Sequence, residues 1–117
     1  MAVNKELLER FKLKQTAEAA NLKMHVGEFF RVGKYELNEY VDVTGAYHKV
    51  LAIQPMGTTD IYRTEVAAFI EKFNAYIDVF GDCPPEELPY IKITGKTSKK
   101  RNEYISFDLV DESGNTL

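Results

Sequence analysis

The sequence predicts a mainly β chain with helices: an OB-fold-like five-stranded antiparallel barrel, with a long helix between strands 3 and 4 and an extra N-terminal helix. Three observations predict it. Residues 24–55 crowd β-branched and aromatic side chains between Gly27, Gly33 and Gly45, a composition that suits two or three strands. Residues 56–82 carry one apolar stripe at steps of three or four, as a buried helix face requires. Residues 90–110 form two alternating runs about a short polar turn, which reads as a hairpin. One helix between the third and fourth of five strands is the order of such a barrel. The competing arrangement packs helices on one face of an antiparallel sheet.

The elements follow in order. In "VNKELLERFKLKQTAEAA", residues 3–20, Val3, Leu7, Leu8 and Phe11 recur at helical spacing among strong helix formers, and Asn21 is a stop. In the strand-rich stretch, Gly45-Ala46 marks a bend or bulge between Val41-Asp-Val-Thr and Tyr47-His-Lys-Val. The long helix places Tyr62, Val66, Phe69, Ile70, Phe73, Ile77 and Phe80 on one side, with Thr58, Thr59 or Asp60 as its cap and Gly81 as its end. "DCPPEELP" is a stiff acidic connector, because proline extends neither neighbour. Strands at about 90–96 and 103–110 complete the set. With 117 residues the chain is one domain, a helical extension over 1–22 followed by a barrel over 23–110.

Composition bounds the function. No run approaches the ~18 apolar residues of a membrane span, and "MAVNKELLER" has no apolar signal core. A soluble cytoplasmic protein with no membrane partner is the expectation, and a lone Cys83 fits a reducing compartment. A net charge of −3 argues against a uniformly basic nucleic-acid binder. The charge is uneven, however: residues 90–110 hold Lys92, Lys96, Lys99, Lys100 and Arg101 against only Glu103 and Asp108. A polyanion responds to such local potential rather than to the total.

Catalytic and cofactor motifs do not assemble. His25 and His48 have no partner at metal-ligand spacing, so neither a metal site nor a cofactor is expected. Cys83 sits in an acidic, proline-rich stretch that disfavours a thiolate. Gly95-Lys96-Thr97 looks like the end of a phosphate-binding P-loop, but Tyr90 stands where the first glycine belongs. A strand rather than a helix follows, so the amide cradle for an anion is missing. The chain is therefore expected not to be an enzyme, with no catalytic residues.

A binding surface is legible instead. Parity along the last hairpin sends Ile91, Ile93, Ile105, Phe107 and Leu109 inward, leaving Tyr90, Lys92, Thr94, Lys96, Tyr104, Ser106 and Asp108 outward below a tip of Lys99, Lys100 and Arg101. Rings interleaved with cations suit single-stranded nucleic acid, because bases stack on the rings while cations follow the phosphates. The middle strands repeat the mixture, so the predicted contacts are Tyr35, Tyr40, Tyr47, Tyr90 and Tyr104 for bases. Lys34, Lys49, Lys92, Lys96, Lys99, Lys100 and Arg101 are the predicted contacts for phosphates.

The runs "IQPMGTTDIYRTEVAAFIEKF" and "IKITGKTSKKRNEYISFDLV" resemble the second half of small phage-encoded single-stranded-DNA-binding proteins. The likeness rests on Gly57, Thr58 and Tyr62, then Gly95, Thr97, Ser98 and Lys99, then Tyr104 and Phe107, and covers about half of the chain. It implies an OB-fold that coats single-stranded DNA, without sequence preference, during phage DNA replication and recombination. It also implies work beside replication or recombination proteins in the host cytoplasm. The leading helix and the C-terminal "DESGNTL", which is not a long acidic tail, stand outside it. A homodimer or higher homo-oligomer is expected, since linked folds gain avidity, with the N-terminal helix as the contact. The alternative is a small phage protein–protein interaction module, a host-factor inhibitor or virion adaptor, docking through Leu7, Leu8 and Phe11.

Overall fold

Two β-sheets joined by one bent strand frame the protein, whose computed structural model describes residues 4–14 and 20–117. The elements are α1 (Lys5–Lys14), β1 (Ala20–Asn21), β2 (Phe29–Phe30), β3 (Val32–Val41), β4 (Tyr47–Pro55), β5 (Tyr62–Thr64), α2 (Ala67–Phe80), β6 (Tyr90–Thr97) and β7 (Glu103–Val110). Single 3-10 turns lie at Leu22–His25 and Pro85–Glu87. The first sheet has the order β1-β5-β4-β3 and the second β2-β6-β7. Only Arg31 separates β2 from β3, so one stretch of chain serves both sheets. The ladder slips between Val32 and Lys34. Gly33 sits at that slip because a Cβ there would come within 3.0 Å of the Gln54 carbonyl oxygen and of Met56 Cα. A bulge of this kind bends a strand, and glycine avoids so tight an approach to the neighbouring backbone.

The core lies between the sheets and under α2. Leu51 and Ile53 of β4, Ile91 and Ile93 of β6, and Ile105 and Phe107 of β7 meet Phe69, Ile70, Phe73 and Tyr76 of the helix. Phe107 packs against Phe69 with ring centroids 5.0 Å apart, and Phe73 meets Tyr35 edge-on at 5.3 Å. Tyr76 donates its hydroxyl proton to the Pro89 carbonyl, tying α2 to the connector, and burial pushes its phenol up to about 12. The other face of β3–β4 is covered by α1. Leu13 is 2% exposed, the Asn38 side chain donates to its carbonyl, and Lys14 pairs with Glu36 at 2.8 Å. That contact buries Val50 and Ala52, which share the face of Asn38 and Glu36.

The mainly β class, the order of the major elements and the last hairpin match expectation. Three readings are corrected. The long helix begins at Ala67, not near Thr58: Tyr62–Thr64 is a strand on β4, with Tyr62 opposite Ile53 and Thr64 opposite Leu51. A step of four from Tyr62 to Val66 fits a helix, yet it is also two steps of a strand, so the period alone misleads. Thr58 bonds back to the Pro55 carbonyl instead of capping, and Val66 holds the N-cap position without a side-chain bond. The helical extension over 1–22 differs at its end, since α1 is described over Lys5–Lys14 and Ala20–Asn21 is a strand. Residues 1–3 and 15–19 of that expectation lie outside the described residues. Finally, the five-stranded barrel is not closed. β1 runs parallel to β5, pairing Ala20 with Tyr62 and Asn21 with Arg63, and so takes the edge that β7 would need.

The ring cluster makes one residue a sensitive probe. Phe73→Ala should lower unfolding stability by about 3–5 kcal/mol, because the cavity opens among rings that cannot collapse into it. Urea denaturation followed by circular dichroism would measure the shift.

Candidate functional site

The β6–β7 ladder runs without a slip from Tyr90 opposite Val110 to Thr97 opposite Glu103. Residues opposite one another share a face. Tyr90, Lys92, Thr94, Lys96, Tyr104, Ser106 and Asp108 therefore share one face, with Lys96 directly opposite Tyr104. That face is not outward throughout as expected: Ser106 is buried, the Thr94 hydroxyl oxygen is covered, and Val110 opposite Tyr90 is fully buried. The connecting turn, residues 98–102, is closed by Ser98 donating its N–H to the Asn102 carbonyl and Arg101 donating to that of Ser98, both at 2.9 Å. The Ser98 hydroxyl oxygen accepts from the Asn102 N–H. Lys99, Lys100 and Arg101 are all exposed on this turn.

The same turn occurs twice more. Asp42 and Asp111 take the place of Ser98, each accepting through Oδ1 from the backbone N–H groups two and four residues on. Their N–H groups donate to the carbonyls of Ala46 and Asn115. In these sister turns the fourth residue is glycine, with φ of 87° at Gly45 and 84° at Gly114. Gly45 is thus a bend residue, as one of the two expectations had it, and not a bulge. In the β6–β7 turn that position is Arg101, with φ of 64°. A side chain in the left-handed region costs about 1–2 kcal/mol relative to the right-handed one. The tip carries its third cation at the position where its relatives relax that strain with glycine.

Beside the hairpin opens a groove of about 760 Å³, on the side where the sheets fail to close. One wall is Thr64–Val66 at the end of β5, the other is Gly95–Thr97 and Glu103–Ile105, and Asn21 of β1 with Lys23 and Val26 after it also contribute. Its charged lining is Lys23, Arg63 and Lys96 against Glu65 and Glu103, with Tyr104 as its ring. Arg63 Nε is buried without a protein acceptor, while its terminal nitrogen lies 3.7 Å from Glu65. Thr97 and Glu103 flank the cationic turn, so the groove leads into the tip.

The remaining sequence-predicted contacts do not converge on this groove. Tyr35, Tyr47 and Lys49 project on the core-side face of β3–β4, whereas Lys34 and Tyr40 project on the opposite face. Tyr35 spends its ring against Phe73. Tyr40 stacks on His48 with centroids 4.9 Å apart, and Tyr47 donates to Glu39, which holds its phenol above the usual range. Tyr90 lies under the Arg31 guanidinium at 4.6 Å, and Lys92 is opposite Asp108. The single predicted surface is thus three surfaces, of which Lys96, Tyr104 and the tip form one continuous site. Lys23 and Arg63 join it from distant parts of the chain, and no local sequence signal marks them.

A second polar cluster also escapes the sequence. His48 Nε2 lies 2.7 Å from Asp42 Oδ2 and its Nδ1 lies 2.7 Å from Glu65 Oε1. The ring thereby ties the β3–β4 turn to the start of α2. Hydrogen bonds to Asp42 first, then to Glu65, raise the imidazole above its usual value, while Thr44 and then His48 hold the Asp42 carboxyl well below the carboxylate range. Among the described residues no group of three His, Cys, Asp or Glu side chains is arranged to hold a metal ion, and no helix is long and apolar enough to cross a membrane. Comparison with protein-family models, curated proteins and solved structures finds no match, so the site must be read from its own chemistry.

Two outcomes follow. Arg101→Gly should stabilise the fold by up to about 1 kcal/mol, the strain relieved less the extra freedom glycine gives the unfolded chain; urea midpoints would show it. The raised His48 value contributes stability that is complete below about pH 6.5 and is lost as pH rises through the folded value. The depressed Asp42 value contributes stability above about pH 3.9 that is lost as pH falls. The melting-temperature gap between the parent and His48→Gln should accordingly be wider near pH 5.5 than near pH 8.5.

Proposed function

We propose that the protein binds single-stranded DNA without sequence preference, coating it during phage DNA replication and recombination rather than transforming it. The observation that carries this reading is the directly paired Lys96 and Tyr104, set at a groove that runs into the exposed tip Lys99–Arg101. Unpaired bases stack on the exposed part of Tyr104, and the tip and Lys96 meet the phosphates on either side. Lys23 and Arg63 line the same groove and add positive charge to it. Counting groove and tip together, six cations face Glu65 and Glu103, which makes a local basic lane on an acidic chain. The connectivity lends support: the bent β2–β3, then β4, β5, α2, β6 and β7, follow the order of an OB-fold opened along one seam. Replication or recombination proteins are the expected company of such a coat protein.

A protein-docking module is the second reading, favoured by one observation. Of the apolar residues on α1, Leu13 is buried while Leu7 and Phe11 remain 60% and 58% exposed. Its partner would be a host factor or virion protein.

Oligo-dT titrations at several salt concentrations separate the readings. Binding should weaken steeply with salt, because each neutralised phosphate releases counterions, and duplex of equal length should bind far less. Alanine at Lys99, Lys100 and Arg101 together should lower affinity and flatten the salt slope by up to about three contacts. Tyr104→Ala should weaken binding without altering the slope. A parent protein that ignores oligo-dT at low salt removes the DNA reading and leaves the docking module.

A further inference from the structure

The edge of the first sheet makes a claim of its own. β3 is the outermost strand, and among the described residues no strand lies on its far side. It is ten residues long and contains no proline. Its outer edge therefore offers a long row of backbone donors and acceptors, a template for another strand. The only slip in its ladder with β4 is at Gly33, so the stretch from Gly33 to Val41 is regular.

The side chains on this edge are self-complementary. A twofold axis that lays two copies of the strand side by side, antiparallel, keeps each face on its own side of the sheet. The register that overlaps the whole of 33–41 centres on Leu37, which then meets Leu37 of the second copy. On the core-side face Tyr35 falls opposite Glu39. On the other face Lys34 falls opposite Tyr40, and Glu36 opposite Asn38. No like charges face each other. Moving the axis one residue toward Glu36 sets two glutamates in opposition, and moving it two residues the other way does the same with Glu39. Directly opposed like charges weaken a sheet, while apolar and polar–charged pairs of this kind support it. Leu37 is 37% exposed in the single chain, an apolar residue at the centre of the edge, with the exposed Val41 at its end.

We propose that this edge is a homodimer interface in which β3 pairs with β3 of a second copy, extending the four-stranded sheet to eight strands through a twofold axis at Leu37. The helix α1 contacts β3 through Leu13 and Lys14, and its Leu7, Leu8 and Phe11 are exposed, so α1 is the rival seam. The proposal stands apart from the DNA reading, since it concerns neither the groove nor the tip.

Light scattering and directed crosslinking test it. The full-length parent should have the mass of a dimer at tens of micromolar. Leu37→Glu and Leu37→Arg, each placing like charges on the axis, should each give a folded monomer with unchanged circular dichroism. Mixing the two should restore the dimer, which a mere loss of folding could not do. In a Cys83→Ser background, Leu37→Cys should crosslink under mild oxidation, because opposed strand positions approach within the Cα range a disulfide spans. Tyr35→Cys and Glu39→Cys chains should crosslink when mixed but not alone. A monomeric parent overturns the proposal. So does a dimer that survives both charged variants, which would move the seam to α1, or a Tyr35→Cys chain that links to itself, which would fix a different register.

Discussion

The passage of one strand from sheet to sheet at Arg31 is the constraint on which the rest of the molecule depends. The Arg31 carbonyl accepts from the Met56 N–H at 2.8 Å, and its Nε donates to the Leu88 carbonyl at 2.9 Å. Its guanidinium also covers the Tyr90 ring. One residue thus fastens the end of β4, the connector before β6 and the start of β6 to the corner. Two residues on, Gly33 lets the ladder slip and the chain turn. Cation–π contact and charge-assisted bonds at a partly desolvated corner are among the stronger polar interactions available to a small domain. That corner supplements the core between the sheets and the Phe30–Tyr62 ring contact in fixing their relative orientation.

Orientation matters because the groove is a gap between sheets, not a pocket within one. Its walls come from β5 and from the β6–β7 ladder, and its width is set by what occupies the edge of β5. Two residues, Ala20 and Asn21, do this. Their parallel pairing occupies the edge of β5 and leaves a groove lined by Lys23, Arg63, Lys96 and Tyr104. A modest detail of connectivity therefore converts a potential seam into a lined channel.

The strands and register of the last hairpin were legible in the sequence because its alternation is strict, but parity did not reveal that Ser106 and Val110 on the other face are buried as well. The element order was legible for a similar reason, glycines and prolines separating patterns of different period. The start of α2 was not, since Tyr62 to Val66 satisfies both periods. The grouping of tyrosines failed for a parity reason: Tyr40 and Tyr47 flank one turn, yet five-residue turns return the chain so that these two rings project on opposite faces. Lys23, Arg63 and the Asp42–His48–Glu65 cluster were invisible because long-range strand pairing brings them together. Residues distant in sequence carry no local mark of adjacency.

The turn shared by residues 42–46, 98–102 and 111–115 has a consequence for how the chain finds its structure. In each, one side-chain oxygen accepts from backbone N–H within five residues, two groups at Asp42 and Asp111 and one at Ser98, so the bend is held by local bonds. Local hairpins close on a timescale of about 1–10 μs, far faster than non-local pairings assemble. The β3–β4 and β6–β7 ladders, which hold most of the paired backbone, can therefore form as two preassembled pieces. What remains for the slower phase is the bend at Arg31 and the threading of β1 onto β5. Those are the steps that join the pieces, and the order places the opening of the groove last in the assembly of the molecule.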